Sequence, residues 1–297
     1  MAIERPRLCI LLNPVSGPTR TRGVEWEWLA ADAEQAGWRA ELIRSEGPGD
    51  IERLAREAVA GGVRRLVVVG GDGSINEAVQ AVVGTEVELG LVPAGTSNIL
   101  ANELGIPDDF RQAARLAFTG RALAIDVGRA NDRYFTLMLG IGYDVSTIEV
   151  MWPQLKRLMG QVAYTVAGFQ AFVQHRAVRM RVEIDGTRMR RLVYFLVVAN
   201  TRLYGMASTK VAEHADVRDG LFDVVIIRAR AWYHVIISML RIFFRIKSPF
   251  EKVETIRGRE VTIRSSRKVR YQLDGDAAGT LPVKVSMLPQ ALRIIAP

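Results

Sequence analysis

The apolar positions between residues 7 and 125 alternate between two spacings. Short continuous runs, such as RLCILL (7–12) and RRLVVV (64–69), predict buried strands. The segments VEWEWLAADAEQAG (24–37) and DIERLAREAVAGG (50–62) carry apolar residues at helical spacing and end at glycines. Because strands and helices alternate along the chain, the pattern predicts a parallel sheet with helices on its faces.

After about residue 123 the pattern of apolar positions changes. The segment 122–142 predicts two strands around a polar turn, and 178–200 predicts a hairpin with Asp185-Gly186 as its tight turn. We predict further strands at 221–227, 260–264, 269–273 and 291–297, and helices near 154–174 and 231–246. The second part is therefore predicted to be largely antiparallel.

Composition narrows the class of protein only in part. The chain has 297 residues, 49% of them hydrophobic, which suffices for two domains or one large one. A formal net charge of +8 favours anionic partners, meaning nucleotides, nucleic acid or an acidic membrane surface. The basic residues are spread along the chain, which argues against a nucleic-acid-binding arm. A single cysteine, Cys9, excludes an intrachain disulfide, and we expect a cytoplasmic location.

Three polar loops follow strands of the predicted parallel sheet: NPVSG (13–17), GGDGS (70–74) and PAGTSN (93–98). Ligands bind at the carboxyl ends of such strands, where glycines accept positive φ and helix N-termini attract phosphate. Asp72 would repel phosphate unless a cation lay between them, so the glycine turn indicates phosphate together with Mg²⁺. The alternative is a set of ordinary strand-to-helix turns, the second of them capped by Asp72 or Ser74.

These three loops, in this order, resemble the signatures of the diacylglycerol kinase catalytic family. The family includes bacterial lipid kinases and the sphingosine and ceramide kinases, and its nucleotide-binding domain is related to NAD kinases and phosphofructokinases. The resemblance continues through IDVGR (125–129), DVRDGLFDVVI (216–226) and YQLDGDAAG (271–279), so it spans nearly the whole chain.

The resemblance implies a two-domain fold and a reaction. It implies an α/β parallel-sheet nucleotide-binding domain at 1–125, completed by 286–297, and a mainly antiparallel β-sandwich lipid-substrate domain at 126–285. ATP would bind in the cleft between them. The implied activity is that of a phosphotransferase, an ATP-dependent lipid kinase that phosphorylates a hydroxyl of diacylglycerol or a related lipid, with Mg²⁺ as cofactor.

The resemblance also assigns roles to single residues. Asp276 corresponds to the catalytic base, and Asp72 to a member of the water network around the catalytic Mg²⁺. A structural Mg²⁺ would be held by Asp216, Asp219 and the carbonyl of Leu221. The nucleotide contacts implied by the resemblance are Asn13, Pro14, Val15, Ser16, Gly17, Ser45, Gly71, Asp72, Gly73, Ser74, Ile75, Asn76, Glu77 and Thr96.

Two positions depart from the family pattern. Ile99 stands where many members have an aspartate, and Asp276 stands where the usual residue is glutamate. An NAD kinase-like phosphotransferase, from the same superfamily, stays an alternative. The missing acid at Ile99 also leaves open a nucleotide-binding regulatory protein with weak catalysis.

Beyond ATP and a lipid acceptor, we expect peripheral contact with an anionic membrane surface and no nucleic-acid partner. A homodimer is left open. The apolar helix expected near 231–246 carries Arg241 and Arg245, with Lys247 just beyond. This helix either rests on a membrane or covers the sandwich.

Overall fold

The computed structural model describes residues 5–17, 26–142, 177–204, 209–210, 212, 214–228 and 253–297. The helices expected near 154–174 and 231–246 lie outside these residues. Among the described residues, no helix combines the length and the apolar character needed to cross a membrane.

The N-terminal part is a parallel sheet with helices on its faces, as the sequence pattern predicts. Its strands pair in the order β2-β1-β3-β4. The strands are β1 (Arg7–Leu12), β2 (Arg39–Arg44), β3 (Arg65–Gly70) and β4 (Glu88–Pro93). The helices are α1 (Trp28–Gln35), α2 (Asp50–Ala60), α3 (Asp72–Val82), α4 (Ile99–Glu103) and α5 (Phe110–Thr119).

Burial explains why the inner strands are continuously apolar. Every residue of β3 is buried, because β3 lies between β1 and β4. β2 lies at the edge and is only partly buried. All of these strands run in one direction, so the loops after β1, β3 and β4 meet at one edge of the sheet.

The C-terminal part is antiparallel, which confirms the second half of the predicted fold class. Its first strands are β5 (Ala122–Ala130), β6 (Arg133–Phe135), β7 (Met138–Ile141), β8 (Val178–Ile184), β9 (Thr187–Val193), β10 (Phe195–Ala199), β11 (Leu203–Tyr204) and β12 (Thr209–Lys210). The remaining strands are β13 (Phe222–Ile227), β14 (Val253–Gly258), β15 (Glu260–Ser265), β16 (Arg270–Leu273), β17 (Asp276–Thr280) and β18 (Val283–Ile295). The predicted hairpin is β8–β9, with Asp185 and Gly186 at positive φ.

Two layers of strands enclose the second core. One layer has the order β14-β13-β10-β7-β16-β17, and the other contains β18, β15, β8 and β9. Val182 and Val261 from the second layer share one buried cluster with Leu196 and Val224 from the first. This arrangement is a β-sandwich, since both sheets bury one face against each other.

The long strand β18 joins the two parts of the molecule. Its beginning pairs antiparallel with β15, and its end pairs parallel with β4 through Arg293 and Ile294. The predicted return of 286–297 to the α/β domain requires this pairing with β4. A domain boundary near residue 126 stays a prediction, because β18 and β5 pair along one continuous sheet.

Candidate active site

The three polar loops meet at the edge of the parallel sheet. The side-chain amide of Asn13 donates to the Ser74 hydroxyl at 2.9 Å, and the backbone N–H of Gly71 donates to the Ser16 hydroxyl at 3.3 Å. Within the third loop, the N–H of Gly95 donates to the Asn98 side chain at 2.9 Å. The first loop is therefore fastened to the glycine turn by side chains that the sequence assigned to nucleotide contact.

The loops need glycine mainly because their backbones approach one another closely. A Cβ atom at Gly95 would lie 2.5 Å from Gly71 Cα, and one at Gly17 would lie 2.1 Å from the Ala94 carbonyl oxygen. Gly17 also has a φ of 52°. The sequence reasoning invoked positive φ for the glycine turn, but Gly71 has a φ of −97°, and none of the turn's glycines is among the positive-φ residues. Close approach is the physical requirement there.

The helix α3 begins at Asp72 with Gly71 as its N-cap, so neither Asp72 nor Ser74 is the capping residue. Its first turn presents backbone N–H groups and the positive end of the helix dipole. Gly73 in this turn is exposed, and a Cβ atom there would lie 3.8 Å from the Oδ2 of Asp276. The glycine turn and the start of β17 therefore face each other.

Asp72 belongs to the second loop, and its side chain reaches the helix that follows the third loop. Its Oδ1 accepts a long hydrogen bond, 3.4 Å, from the N–H of Leu100 near the start of α4. Burial raises the pKa of Asp72 from its ordinary value, although backbone N–H groups at 98–100 act in the opposite direction. The N-cap of α4 is Asn98 in a left-handed conformation. Asp72 therefore places a negative charge near the start of α4. Ile99, which stands where many family members have an aspartate, adds no charge there.

Asp274 is an anchor rather than a second base. It sits in a tight turn with Gly275, and both residues have positive φ. Burial raises the pKa of this carboxyl, and the donors around it act in the opposite direction. Its two carboxylate oxygens accept hydrogen bonds from the Asn76 side chain, from the Thr136 N–H and hydroxyl, and from the N–H groups of Leu137 and Met138. These contacts fix the turn that presents Asp276, which is exposed at the start of β17.

The other predicted contacts on α3 divide between structural and exposed positions. Asn76 is buried and donates to Asp274 at 2.9 Å, and Ile75 is 1% exposed within the core. The carboxylate of Glu77 accepts from the N–H groups of Gly49 and Ile51, so it caps the start of α2. Ile75 could therefore meet a ligand only through its backbone, while Asn76 and Glu77 hold the surrounding elements in place.

The remaining predicted contacts lie just after the carboxyl ends of β1, β2 and β4. Ser45 is buried directly after β2, and its N–H donates to the Leu12 carbonyl at 2.9 Å. Pro14, Val15 and Thr96 are exposed, Val15 with 75% of its surface accessible. The surfaces of these three residues are therefore accessible to a ligand bound at the loops.

At the turn from Asp216 to Leu221, both carboxylates that the resemblance assigned to a structural Mg²⁺ accept hydrogen bonds within the turn, and the Mg²⁺ site itself stays a prediction. Asp216 accepts from the N–H of Arg218 and Asp219 accepts from the N–H of Leu221, so both carboxylates close the turn. The guanidinium of Arg257 contacts Asp219 and also donates to Asp223 at 3.0 Å. In the described part of the chain, no group of three or more His, Cys, Asp or Glu residues is placed to hold a metal ion. Arg257 supplies the positive charge here.

Two buried polar residues, to which sequence reasoning gave no role, connect this turn to β18 and to the backbone at Thr136. Asp126 is 1% exposed and accepts from the N–H groups of Gly220, at 2.7 Å, and Gln290, at 2.8 Å. The side-chain amide of Asn200 donates to the carbonyls of Asp126 and Thr136. A carboxylate inside an apolar strand was the available signal for Asp126, because such a group requires buried donors.

An α/β domain whose glycine-containing loops face a β-sandwich is the architecture of NAD kinase-like phosphotransferases. Residues 7–130 match the family model of the diacylglycerol kinase catalytic domain, and residues 138–296 match that of the YegS C-terminal NAD kinase beta sandwich-like domain. The chain therefore belongs to the diacylglycerol kinase family, which makes it a phosphotransferase with an alcohol group as acceptor.

Relatives over the full length agree with this assignment. The chain is 30% identical to a diacylglycerol kinase of Bacillus subtilis (strain 168), covering 98% of this chain and 96% of the relative. It is 29% identical to a diacylglycerol kinase of Staphylococcus aureus (strain bovine RF122 / ET3-1), covering 99% and 93%. The fold is similar to the crystal structure of a diacylglycerol kinase from Bacillus anthracis str. Sterne, with a TM-score of 0.73, 17% identity, and coverage of 99% of this chain and 98% of that one.

Proposed function

We propose that this chain transfers the γ-phosphoryl group of ATP, with Mg²⁺ as cofactor, to a hydroxyl group of diacylglycerol or a closely related lipid. The observation that carries the proposal is the position of Asp276 opposite Gly73, with Oδ2 3.8 Å from the place of a Cβ atom. This position brings an exposed carboxylate to a helix N-terminus, where phosphate groups bind favourably.

The N-terminal loops are the proposed ATP site. The N–H groups in the first turn of α3 and the hydroxyl of Ser16 are polar groups suited to phosphate oxygens. Gly73 leaves space above this turn, because its position lacks a side chain and is exposed. The β-sandwich part, at 126–285, is the proposed lipid site, and ATP would lie between it and the α/β part.

Asp72 fits a role toward Mg²⁺. Its Oδ1 accepts a long hydrogen bond, 3.4 Å, from the N–H of Leu100, and an ionised carboxylate has further lone pairs that can accept from the water shell of a cation. A bound Mg²⁺ would neutralise the charge that develops on the transferred phosphoryl group. A nearby cation would also offset the desolvation that raises the pKa of Asp72.

Asp276 is the proposed general base. As the acceptor oxygen bonds to the γ-phosphorus, its proton passes to the Asp276 carboxylate. The bond from that phosphorus to the β–γ bridging oxygen breaks, and ADP leaves with the electron pair. The Asp274 turn holds Asp276 in position through its hydrogen bonds to the start of β7 and to α3.

The base assignment is tested by changing the charge at position 276. We expect Asp276→Asn to retain the fold and ATP binding while kcat falls by roughly 10²-fold or more. Asp276→Glu should keep or raise the activity, because it restores the longer side chain of the family. The matched control is Asp132→Asn, which removes a carboxylate from an exposed turn and should turn over at the wild-type rate.

The assay uses labelled ATP with diacylglycerol, other membrane lipids and NAD as acceptors. Labelled lipid product that depends on Asp276 supports the proposal. Labelled NADP without any lipid product would replace it with an NAD kinase-like activity. Wild-type turnover by Asp276→Asn would show that the base lies elsewhere.

A further inference from the structure

Four arginines share one outer face of the β-sandwich. Their strands, β15, β8 and β9, lie at the opposite end of the large sheet from β1 and β3, which precede proposed ATP loops. We call Arg179, Arg181, Arg190 and Arg264 the arginine face. Arg181 pairs directly with Arg190 on β9 and with Arg264 on β15. Three guanidinium groups therefore stand side by side on neighbouring strands, and Arg179 lies two residues along β8.

The neighbouring positions show that this face points away from the core. Met180 and Val182 alternate with Arg179 and Arg181 along β8, and both apolar side chains are buried in the sandwich. All members of the arginine face are exposed. Two open grooves of about 470 Å³ and 670 Å³ run along these strands, and arginine side chains line both of them.

One acid, Glu183, lies beside the arginine face on β8, and it pairs with Arg188 rather than with a member of the face. Within the described residues, no member of the face forms an ion pair, whereas Arg188 and Arg191 nearby pair with Glu183 and Glu254. Like charges directly opposite each other destabilise a sheet. The repulsion among these arginines lowers the stability of the isolated fold. Their arrangement therefore indicates a partner that supplies negative charge.

We propose that the arginine face is a docking surface for membranes that contain anionic phospholipid. Guanidinium groups bind phosphate oxygens through paired hydrogen bonds, and a row of them suits a surface with many phosphates. Leu192, opposite Arg179 and 38% exposed, adds an apolar side chain that can enter the interfacial region. The inference rests on the proposed function in one respect: a lipid acceptor resides in a membrane.

The test compares vesicle binding by two variants with equal charge changes. In one, Arg181, Arg190 and Arg264 are changed to glutamine. In the control, Arg39, Arg115 and Arg121 are changed to glutamine; these are exposed arginines of the α/β part that form no ion pair among the described residues. Each triple variant lowers the formal net charge of +8 by three.

The vesicles contain phosphatidylglycerol and phosphatidylcholine but no diacylglycerol, so binding is measured apart from the reaction. Cosedimentation at low salt should show a loss on the order of 10²-fold for the face variant, at about fivefold per arginine. The control variant should lose less than tenfold, and high salt should reduce wild-type binding. The face variant should unfold at the same or a higher temperature, because it removes like-charge repulsion.

Several outcomes separate this proposal from its alternatives. Equal vesicle binding by the face variant and the wild type would overturn it, as would equal losses in both triple variants, which would indicate net charge alone. If the face variant loses duplex DNA binding while vesicle binding is kept, the partner is a nucleic acid and the proposal fails. Activity on a short-chain acceptor without vesicles should be unchanged in the face variant. If the wild type lacks that activity but docks, the proposed function fails while the docking surface stands.

Discussion

At the scale of single residues, the identity of the loop glycines was predictable but their physical role was not. Motif spacing identified Gly71 and Gly73, while only the structure shows that Gly71 faces Gly95 and that Gly73 faces Asp276. The distance between loops that are separated in sequence depends on strand order, which no local pattern encodes. A substitution at Gly73 should therefore act through the bound ligand, and one at Gly95 through loop packing.

The raised pKa of Asp72 predicts that its ionised carboxylate lowers the stability of the ligand-free protein while it favours binding of the proposed Mg²⁺-ATP. The stabilising contribution of a carboxyl with a raised folded-state pKa is present below its ordinary value of 3.8 and is lost as the pH rises through the folded-state pKa. At pH 7, Asp72→Asn should therefore unfold at the same or a higher temperature than the wild type without ligand. This difference should vanish below pH 3.8, where the aspartate is protonated in both states.

Mg²⁺-ATP should reverse that order. The ligand should raise the unfolding temperature of the wild type more than that of Asp72→Asn, because only the aspartate attracts the cation. Calorimetric scans with and without ligand measure both effects. An equal shift in both proteins would remove Asp72 from the Mg²⁺ site, and a less stable ligand-free variant would indicate a structural role in capping α4.

At the scale of elements, strands and helices with strong periodicity were predicted well. The turn at Asp185-Gly186 even determined that Arg181 opposes Arg190, because a two-residue hairpin fixes the register. The addition of Arg264 to that row required the tertiary pairing of β15 with β8. The helix α5 and the strands β14 and β17, the last of which begins at Asp276, were not predicted. Short polar strands have no period that distinguishes them from loops.

The contact between Arg257 and the turn at Asp219 predicts stability that is independent of Mg²⁺. Arg257→Gln leaves Asp223, which is 1% exposed, without its ion-pair partner. We expect the free energy of unfolding to fall by about 2 kcal/mol or more, since a buried carboxylate then lacks its counter-charge. Arg259→Gln, at an exposed neighbouring arginine without an ion pair among the described residues, is the control and should unfold like the wild type.

Removing metal ions with a chelator tests whether Arg257 or a bound metal ion stabilises this turn. The ligand-free wild type should unfold at one temperature with EDTA or with millimolar Mg²⁺. A clear loss of stability in EDTA would instead indicate a structural Mg²⁺ at the turn from Asp216 to Leu221.

At the scale of the whole molecule, β18 connects the two parts through one continuous β-sheet. The sequence resemblance implied a two-domain chain, and the structure passes one sheet through both parts. Asp126 strengthens this junction, because its buried carboxylate accepts from Gln290 within β18 and from Gly220. The polar loops of the parallel sheet and the turn that presents Asp276 are thereby held in one frame, as the proposed phosphoryl transfer requires.

The continuity of the sheet predicts that damage at its junction destabilises both parts together. Ile294 is 0% exposed and pairs with Leu89 of β4, so Ile294→Ala should lower the free energy of unfolding by roughly 2–5 kcal/mol. In hydrogen exchange, peptides from β3 and from β15 should lose protection to a similar extent. Ile256→Ala, at a half-buried position on the edge strand β14, is the control and should cost about 1 kcal/mol. If β3 alone loses protection in Ile294→Ala, the two parts unfold independently, and the shared strand does not couple them.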